Sequence, residues 1–325
     1  KEIERYYNFL SQKKINLPSP NLSFLGTPKK TGTSCCLLTA KDTINSLAAS
    51  DHIAYMMTVA SAGIGNNIQC RSVGSSVRNG QIKHLGKLNY YRLQQAAVKA
   101  NMQSGRGGAE TMYFTCLDPE VMTLITLRNP TSINERRIDG MDYSLLYNPY
   151  FAEKVAKNED WMLIDYSLAT DLYESFYTPD LENFKTLFNK YFKDKTVKKE
   201  LVKARDIAIK FLTEENETGR FYDGNIFEMN THTSFKEPIY SSNLCGEICL
   251  ATSPFEHITD LYKEEDTVGE VALCNIGAVV LYNTTEEEYE DVCYDLLDTI
   301  DYVILNSDYS LPQVGFKAKK RMSAG

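Results

Sequence analysis

The sequence predicts an α/β protein on three observations: helix-period apolar patterns alternate with short strand-like runs, no internal repeat is present, and no low-complexity linker divides the chain. Residues 45–60 read as a helix that stops at the turn made by Gly63 and Gly65. Residues 196–218 read as a second helix, with Leu201, Ile207, Phe211 and Leu212 apolar among charges and Gly219 as the stop. Residues 270–281, rich in Val, Ile and Leu, read as a buried strand that contains Cys274. Residues 286–306 return to helical spacing through Tyr289, Val292, Leu296, Ile300 and Val303, a stripe expected in the core.

With 325 residues, 43% hydrophobic and 24% charged, the chain can bury a substantial core. A net charge of −8 argues against a general nucleic-acid binder, though a local arginine cluster can still hold a nucleotide phosphate. No apolar run approaches a membrane span and no secretory signal opens the sequence. The expected location is therefore the cytoplasm, that of a host if the gene is viral, with neither membrane nor nucleic acid as partner. Eight cysteines at irregular spacings suit a reducing compartment better than a disulfide framework. Cys245 and Cys249 lack a second Cys or His pair at zinc spacing, so no metal site is expected. Cys70, Cys116, Cys249 and Cys293 are expected to be small core residues.

The richest local chemistry is Asn243-Leu244-Cys245-Gly246-Glu247. In an extended segment Asn243, Cys245 and Glu247 share a face. An amide, a thiol and a carboxylate on one face can hold a diol, remove a proton and abstract a hydrogen atom. The same three residues also suit a plain strand end.

Ser241-Ser242-Asn243-Leu244-Cys245-Gly246-Glu247-Ile248 resembles the active-site finger loop of the large catalytic subunit of ribonucleotide reductase. Leu17-Pro18-Ser19-Pro20, Thr33-Ser34-Cys35, Ala62-Gly63-Ile64-Gly65, Arg106-Gly107-Gly108-Ala109, Met141-Asp142-Tyr143, Thr218-Gly219-Arg220, Asn230-Thr231-His232 and Gly269-Glu270-Val271-Ala272-Leu273-Cys274 match that family in order. The resemblance is closest to the aerobic two-subunit type, and Glu247 disfavours the anaerobic glycyl-radical type. It implies a ten-stranded α/β barrel of two five-stranded halves with helices outside and the finger loop through its centre. Residues 1–325 are then expected to be a single domain, the N-terminal half of that barrel with the loop, without an ATP-binding regulatory domain and without the C-terminal half. A chain that opens at Lys1 and stops at Gly325 within Arg321-Met322-Ser323-Ala324-Gly325 is expected to be a fragment or a split-gene product. Half a barrel leaves strand edges unpaired, so a complementing chain, the rest of the large subunit, is expected.

The resemblance also implies roles. Cys245 carries a thiyl radical, Glu247 takes the 3′-hydroxyl proton and Asn243 orients the diol. Cys35 and Cys274 supply two reducing equivalents and end as a disulfide, which a thioredoxin- or glutaredoxin-type reductant reopens. Two readings compete for that first position: Cys36 is the reactive thiol, or both cysteines are core. A disulfide needs Cα atoms within about 7 Å. Ser19, Ser34, Ala62, Leu244 and Arg106 are expected around the substrate, with a turn or cap role as the plain alternative for the small residues.

An allosteric site for a dNTP or ATP effector is implied at Asp42, Thr43 and Ile44, with Arg71 and Arg78 for its phosphates. Residues 101–109 resemble the glycine-rich loop that relays effector identity to substrate, or else form a plain surface turn. The expected substrates are ribonucleoside diphosphates, and the assembled large subunit is expected to form a homodimer. The radical is expected from a dimetal small subunit, with adenosylcobalamin as the alternative source. Tyr6-Tyr7 and Tyr90-Tyr91 are read as packing residues. Two other classes compete: a non-catalytic nucleotide-binding or assembly fragment, and a thiol redox or metal-binding protein.

Overall fold

The computed structural model describes residues 2–103 and 106–321, the side chains of residues 102, 103, 106 and 321 excepted. Its centre is a six-stranded sheet of β1 (Cys35–Ala40), β2 (Gly63–Ile68), β3 (Glu110–Thr115), β4 (Asp142–Tyr147), β5 (Phe221–Asn225) and β6 (Ala272–Cys274), in the order β5-β4-β3-β2-β1-β6. The first five are parallel, and β6 runs antiparallel to β1. Parallel strands are covered on both faces, and β1, β2 and β3 are buried at every residue. The α/β class follows directly. The sheet is open, and among the described residues no strand pairs with the outer edge of β5.

Helices α1 (Ile44–Val59), α2 (Leu88–Lys99), α3 (Pro149–Lys157), α4 (Ala204–Thr218) and α5 (Tyr289–Asn306) surround the sheet. Local chemistry sets several boundaries. Thr43 caps α1 by accepting the Ser46 N–H, and Asn148 caps α3 with Pro149 in the first position. Gly219 ends α4 at φ 60°, a left-handed cap that glycine adopts without strain. Successive strand residues alternate faces. Cys36, Leu38 and Ile64 pack outward against Ala49, Ile53 and Met57 of α1, whereas Cys35, Leu37, Ala272 and Cys274 form a separate inner cluster with Leu244. A larger outer core centres on Trp161, Phe184, Phe188 and Tyr143.

Helix α1 lies within one residue of its expected span. The helix expected over 196–218 is only α4, because Lys199–Lys203 instead pairs antiparallel with Asp160–Ile164 over five residues. That tertiary pairing overrides helix propensity and leaves Leu201 48% exposed. The strand expected over 270–281 is β6 plus a two-residue strand, Ala278–Val279, paired with Ile15–Asn16. Helix α5 begins at Tyr289, which is exposed rather than core. Cys70 and Cys116 are buried as expected, while Cys249 and Cys293 are only half-buried. Tyr91 is buried, but Tyr7 is exposed and packs little. Among the described residues, no helix is long and apolar enough to cross a membrane.

Candidate active site

Residues 243–247 do not form the extended segment that would put Asn243, Cys245 and Glu247 on one face. Ser242 and Cys249 bridge antiparallel, Asn243 N–H donates to the Ile248 carbonyl (3.0 Å), and Gly246 turns the chain at φ 86°. The motif is a tight loop, so two-residue periodicity does not decide its faces. Asn243 points inward and is fully buried. Its Oδ1 accepts the N–H groups of Glu247 and Ile248, both at 3.1 Å, and the Ser242 hydroxyl at 3.2 Å. Asn thus organises the loop through its own backbone, as Asn commonly does in turns. Cys245 and Glu247 are left exposed at the tip.

The inner face of the sheet seats this loop. Tyr113 Oη donates to the Asn243 carbonyl and Thr111 Oγ1 to the Leu244 carbonyl, both at 2.6 Å. Gly65 lies so close beneath it that a Cβ there would stand 2.0 Å from the Ser242 carbonyl oxygen. Gly63 is packed against the Leu244 side chain. Two glycines on one strand face thus open the groove in which the loop lies. Tyr113, Thr111 and these close approaches carried no role in the sequence reading. Alternate spacing of Gly63 and Gly65 was the available signal.

Next to the loop, Cys35 and Cys274 are register partners across β1 and β6. The neighbouring Cys274 side chain holds the Cys35 thiol below the ordinary thiol range, against burial and with help from Asn243 and the Leu244 backbone. Cys274 is itself pushed well up by its Cys35 neighbour and by burial. Among the described residues Asn243 Nδ2 has no hydrogen-bond partner of full geometry, and the side chain lies where it favours the Cys35 thiolate. Cys36 faces the opposite side in the outer core, where burial pushes its thiol far up. Cys35, and not Cys36, therefore shares a face with Cys274.

Burial first, then the charges of Glu247 and Cys35, push the Cys245 thiol up, partly offset by Arg220. Cys245 thus rests as the protonated thiol, which has a hydrogen atom to give. The floor beside it is Asp142 at the start of β4, which accepts from Arg128 Nη1 (2.9 Å), Arg220 Nε (3.0 Å) and Arg220 Nη2 (3.1 Å). The motifs holding Asp142 and Arg220 were noted in the sequence without a role for either residue.

Ser34 Oγ donates to the Cys274 carbonyl at 2.9 Å and so joins the thiol pair. Ala62 is fully buried one residue before Gly63, and Leu244 packs on the inner cluster. Ser19 is exposed at the start of the short helix Ser19–Phe24. The Arg106 side chain lies outside the described residues.

Asp42, Thr43, Ile44, Arg71 and Arg78 lie past the far end of β1, roughly 20 Å from Cys35 at strand rise. Arg71 grips Asp42 through Nε (2.8 Å) and Nη2 (2.7 Å), and its Nη1 donates to the Ser76 carbonyl (2.7 Å). Thr43 is occupied as the α1 cap, while Ile44 and Arg78 are exposed. Among the described residues, no group of three or more His, Cys, Asp or Glu side chains is placed to hold a metal.

Comparison with known proteins bears on this arrangement. The family described as ribonucleotide reductase, barrel domain, matches residues 33–325. The chain is similar to the ribonucleoside-diphosphate reductase subunit alpha of Buchnera aphidicola subsp. Acyrthosiphon pisum, 33% identical over 99% of this chain and 42% of that protein. It is 31% identical to the subunit alpha of Enterobacteria phage T4, over 100% of this chain and 43% of that one. With the ribonucleoside-diphosphate reductase 1 subunit alpha of Escherichia coli K12 the identity is 35%, over 78% of this chain and 34% of that protein. The chain thus spans less than half the length of these relatives.

Proposed function

Because this chain belongs to the ribonucleotide reductase barrel-domain family, we propose that it carries the radical thiol and the reducing thiols of a ribonucleoside-diphosphate reductase. In this reading the open sheet is one half of a ten-stranded barrel, completed at its edges by the rest of a large subunit. The observation that carries it is the Cys35–Cys274 register pair directly beside the loop that presents Cys245.

The chemistry follows from these positions. A dimetal small subunit, or alternatively adenosylcobalamin, supplies the oxidising equivalent that turns Cys245 into a thiyl radical. The Cys245 sulfur takes the hydrogen atom from carbon 3′ while Glu247 accepts the 3′-hydroxyl proton. The 2′-hydroxyl leaves as water, protonated from the Cys35–Cys274 pair. That pair gives up two electrons and two protons in total and closes to a disulfide. Glu247 then returns its proton to the 3′ oxygen and Cys245 its hydrogen to carbon 3′, and the net change is one ribonucleotide and two thiols to one deoxyribonucleotide, one disulfide and water. An external thioredoxin- or glutaredoxin-type dithiol reopens the disulfide. Ser34, Ala62 and Leu244 flank the ribose, with Ser19 and Arg106 completing the substrate side. A dNTP or ATP effector sits at Asp42, Thr43, Ile44, Arg71 and Arg78, in a homodimer of the assembled subunit.

The test combines this chain with the complementary barrel polypeptide and a radical source, without external dithiol. One deoxynucleotide per site is expected, together with a Cys35–Cys274 disulfide on peptide mapping. Cys274→Ser is expected to form no deoxynucleotide under multiple-turnover conditions with a dithiol reductant. A disulfide elsewhere, or sustained turnover in Cys274→Ser, refutes the assignment. Nucleotide binding without product in any combination favours a non-catalytic fragment instead.

A further inference from the structure

On the outer face of the central strands, beside the apolar Cys36, Leu38 and Ile64, Asn66 of β2 meets Glu110 of β3. Asn66 Nδ2 donates to Glu110 Oε1 at 2.9 Å and to Ser50 Oγ of α1 at 3.1 Å. Gln94 Nε2 of α2 donates to the same Ser50 Oγ at 3.1 Å and to Asp51 Oδ1 at 2.8 Å. Asn66, Gln94 and Glu110 are all fully buried. A continuous polar chain thus runs from helices α1 and α2 into the sheet, where each buried polar group carries a desolvation cost. Three of its atoms, Asn66 Oδ1, Gln94 Oε1 and Glu110 Oε2, have no hydrogen-bond partner among the described residues.

Position makes this chain more than an isolated core feature. Glu110 directly follows the glycine-rich segment 101–109, and α2 directly precedes it. The exit of that segment is pressed on the same helices. A Cβ on Gly108 would lie 2.1 Å from the Val98 carbonyl oxygen and 2.6 Å from Thr58 Cγ2, and Lys99 Nζ donates to the Gly108 carbonyl at 2.8 Å. Helix α1 in turn begins at the segment assigned to the effector and ends beside Gly63 under the finger loop.

We propose that the Asn66–Glu110 pair is a positioning element that ties the exit of the 101–109 segment to helices α1 and α2, so that effector-dependent choice of substrate passes through it. This rests on the effector and relay reading given above.

The charge state of Glu110 supplies a handle. Burial pushes its carboxyl up to about 8, partly opposed by Asn66 and reinforced by Asp51. The titratable groups facing it are Asp51 of α1, Cys36 of β1 and Tyr143 of β4, and α2 presents the neutral Gln94. Glu110 is therefore the neutral acid at pH 7 and charges as pH passes 8. The folded pKa exceeds the unfolded one near 4.3. The stabilising contribution is then complete below about 4.3 and is lost as pH rises to about 8. Glu110→Gln is expected to remove that slope and to raise the melting temperature at pH 8 relative to wild type.

The deciding experiment uses the complemented holoenzyme and two competing ribonucleoside diphosphates, with and without one dNTP, from pH 6.5 to 9. In wild type, the effector-induced change in product ratio is expected to shrink several-fold through pH 8. Glu110→Gln should hold the low-pH ratio throughout. Asn66→Leu with Glu110→Leu, which removes both partners together, should give the effector-free ratio at every pH while effector-free turnover stays within twofold. Identical pH profiles for wild type and Glu110→Gln, or a normal effector response in the double variant, overturn the proposal. Amide hydrogen exchange of residues 107–111 needs no turnover and separates the two layers. Faster exchange in the double variant, with no effector response in wild type, keeps the tie and refutes the effector reading. Unchanged exchange refutes the tie itself.

Discussion

Cys245→Ser is expected to abolish deoxynucleotide formation in the complemented enzyme while leaving stability within about 0.5 kcal/mol of wild type. Cys245 is exposed at the loop tip, and the loop is held by Asn243, Tyr113 and Thr111 rather than by the thiol. Serine therefore preserves shape. It does not preserve chemistry, because an O–H bond is far stronger than an S–H bond and an alcohol does not become the hydrogen-abstracting radical. Stability is read by thermal denaturation and activity by product chromatography. Residual turnover at a measurable fraction of wild type would sink the radical assignment for Cys245. Glu247→Gln is a graded companion, expected to lower turnover by about 10²–10⁴ as the loss of a positioned proton acceptor.

Gly65→Ala is the second large effect, and its cause is steric. The added Cβ would stand 2.0 Å from the Ser242 carbonyl oxygen and 2.9 Å from the Asn243 Cα. Both are backbone atoms, which cannot rotate aside as a side chain can. Either the finger loop lifts or β2 shifts, at a cost of about 1–3 kcal/mol for overpacking. A displacement near 1 Å at a reacting centre can cost about a hundredfold in rate, which is the expected loss. Gly63→Ala meets chiefly the Leu244 side chain, 2.5 Å from its Cδ2, which can turn away, so its loss should be smaller. Equal activities for the two variants and wild type would show that the loop does not depend on this groove.

Much of this architecture was readable in local pattern. Gly219 after an apolar run marked a helix end that the structure places at that residue, whereas Thr43, read only as an effector contact, proves to cap α1. The cysteine-bearing motifs were readable as well, because their composition is unusual wherever they fold. Periodicity failed where a distant partner overruled it. Residues 199–203 carry a helix-like spacing yet form a strand, since Asp160–Ile164 offers them five paired positions. Asn243 was expected to share one face with Cys245 and Glu247. It is buried while they are exposed, because its amide oxygen closes the loop on itself and alternation has no meaning in a tight turn.

The sequence by itself therefore determined the α/β alternation, the helix stop at Gly219, the thiols and carboxylate available for chemistry, and the glycine spacing beside the loop. Only the tertiary structure decided that Cys35 rather than Cys36 meets Cys274, that Glu110 is buried against Asn66, and that Arg71 is held by Asp42. The physical reason is range. Caps and periodicity act over one or two helical turns, whereas a single-residue change in register between β1 and β6, which pairs Cys35 with Cys274 and Leu37 with Ala272, would exchange the inner and outer faces of the strand.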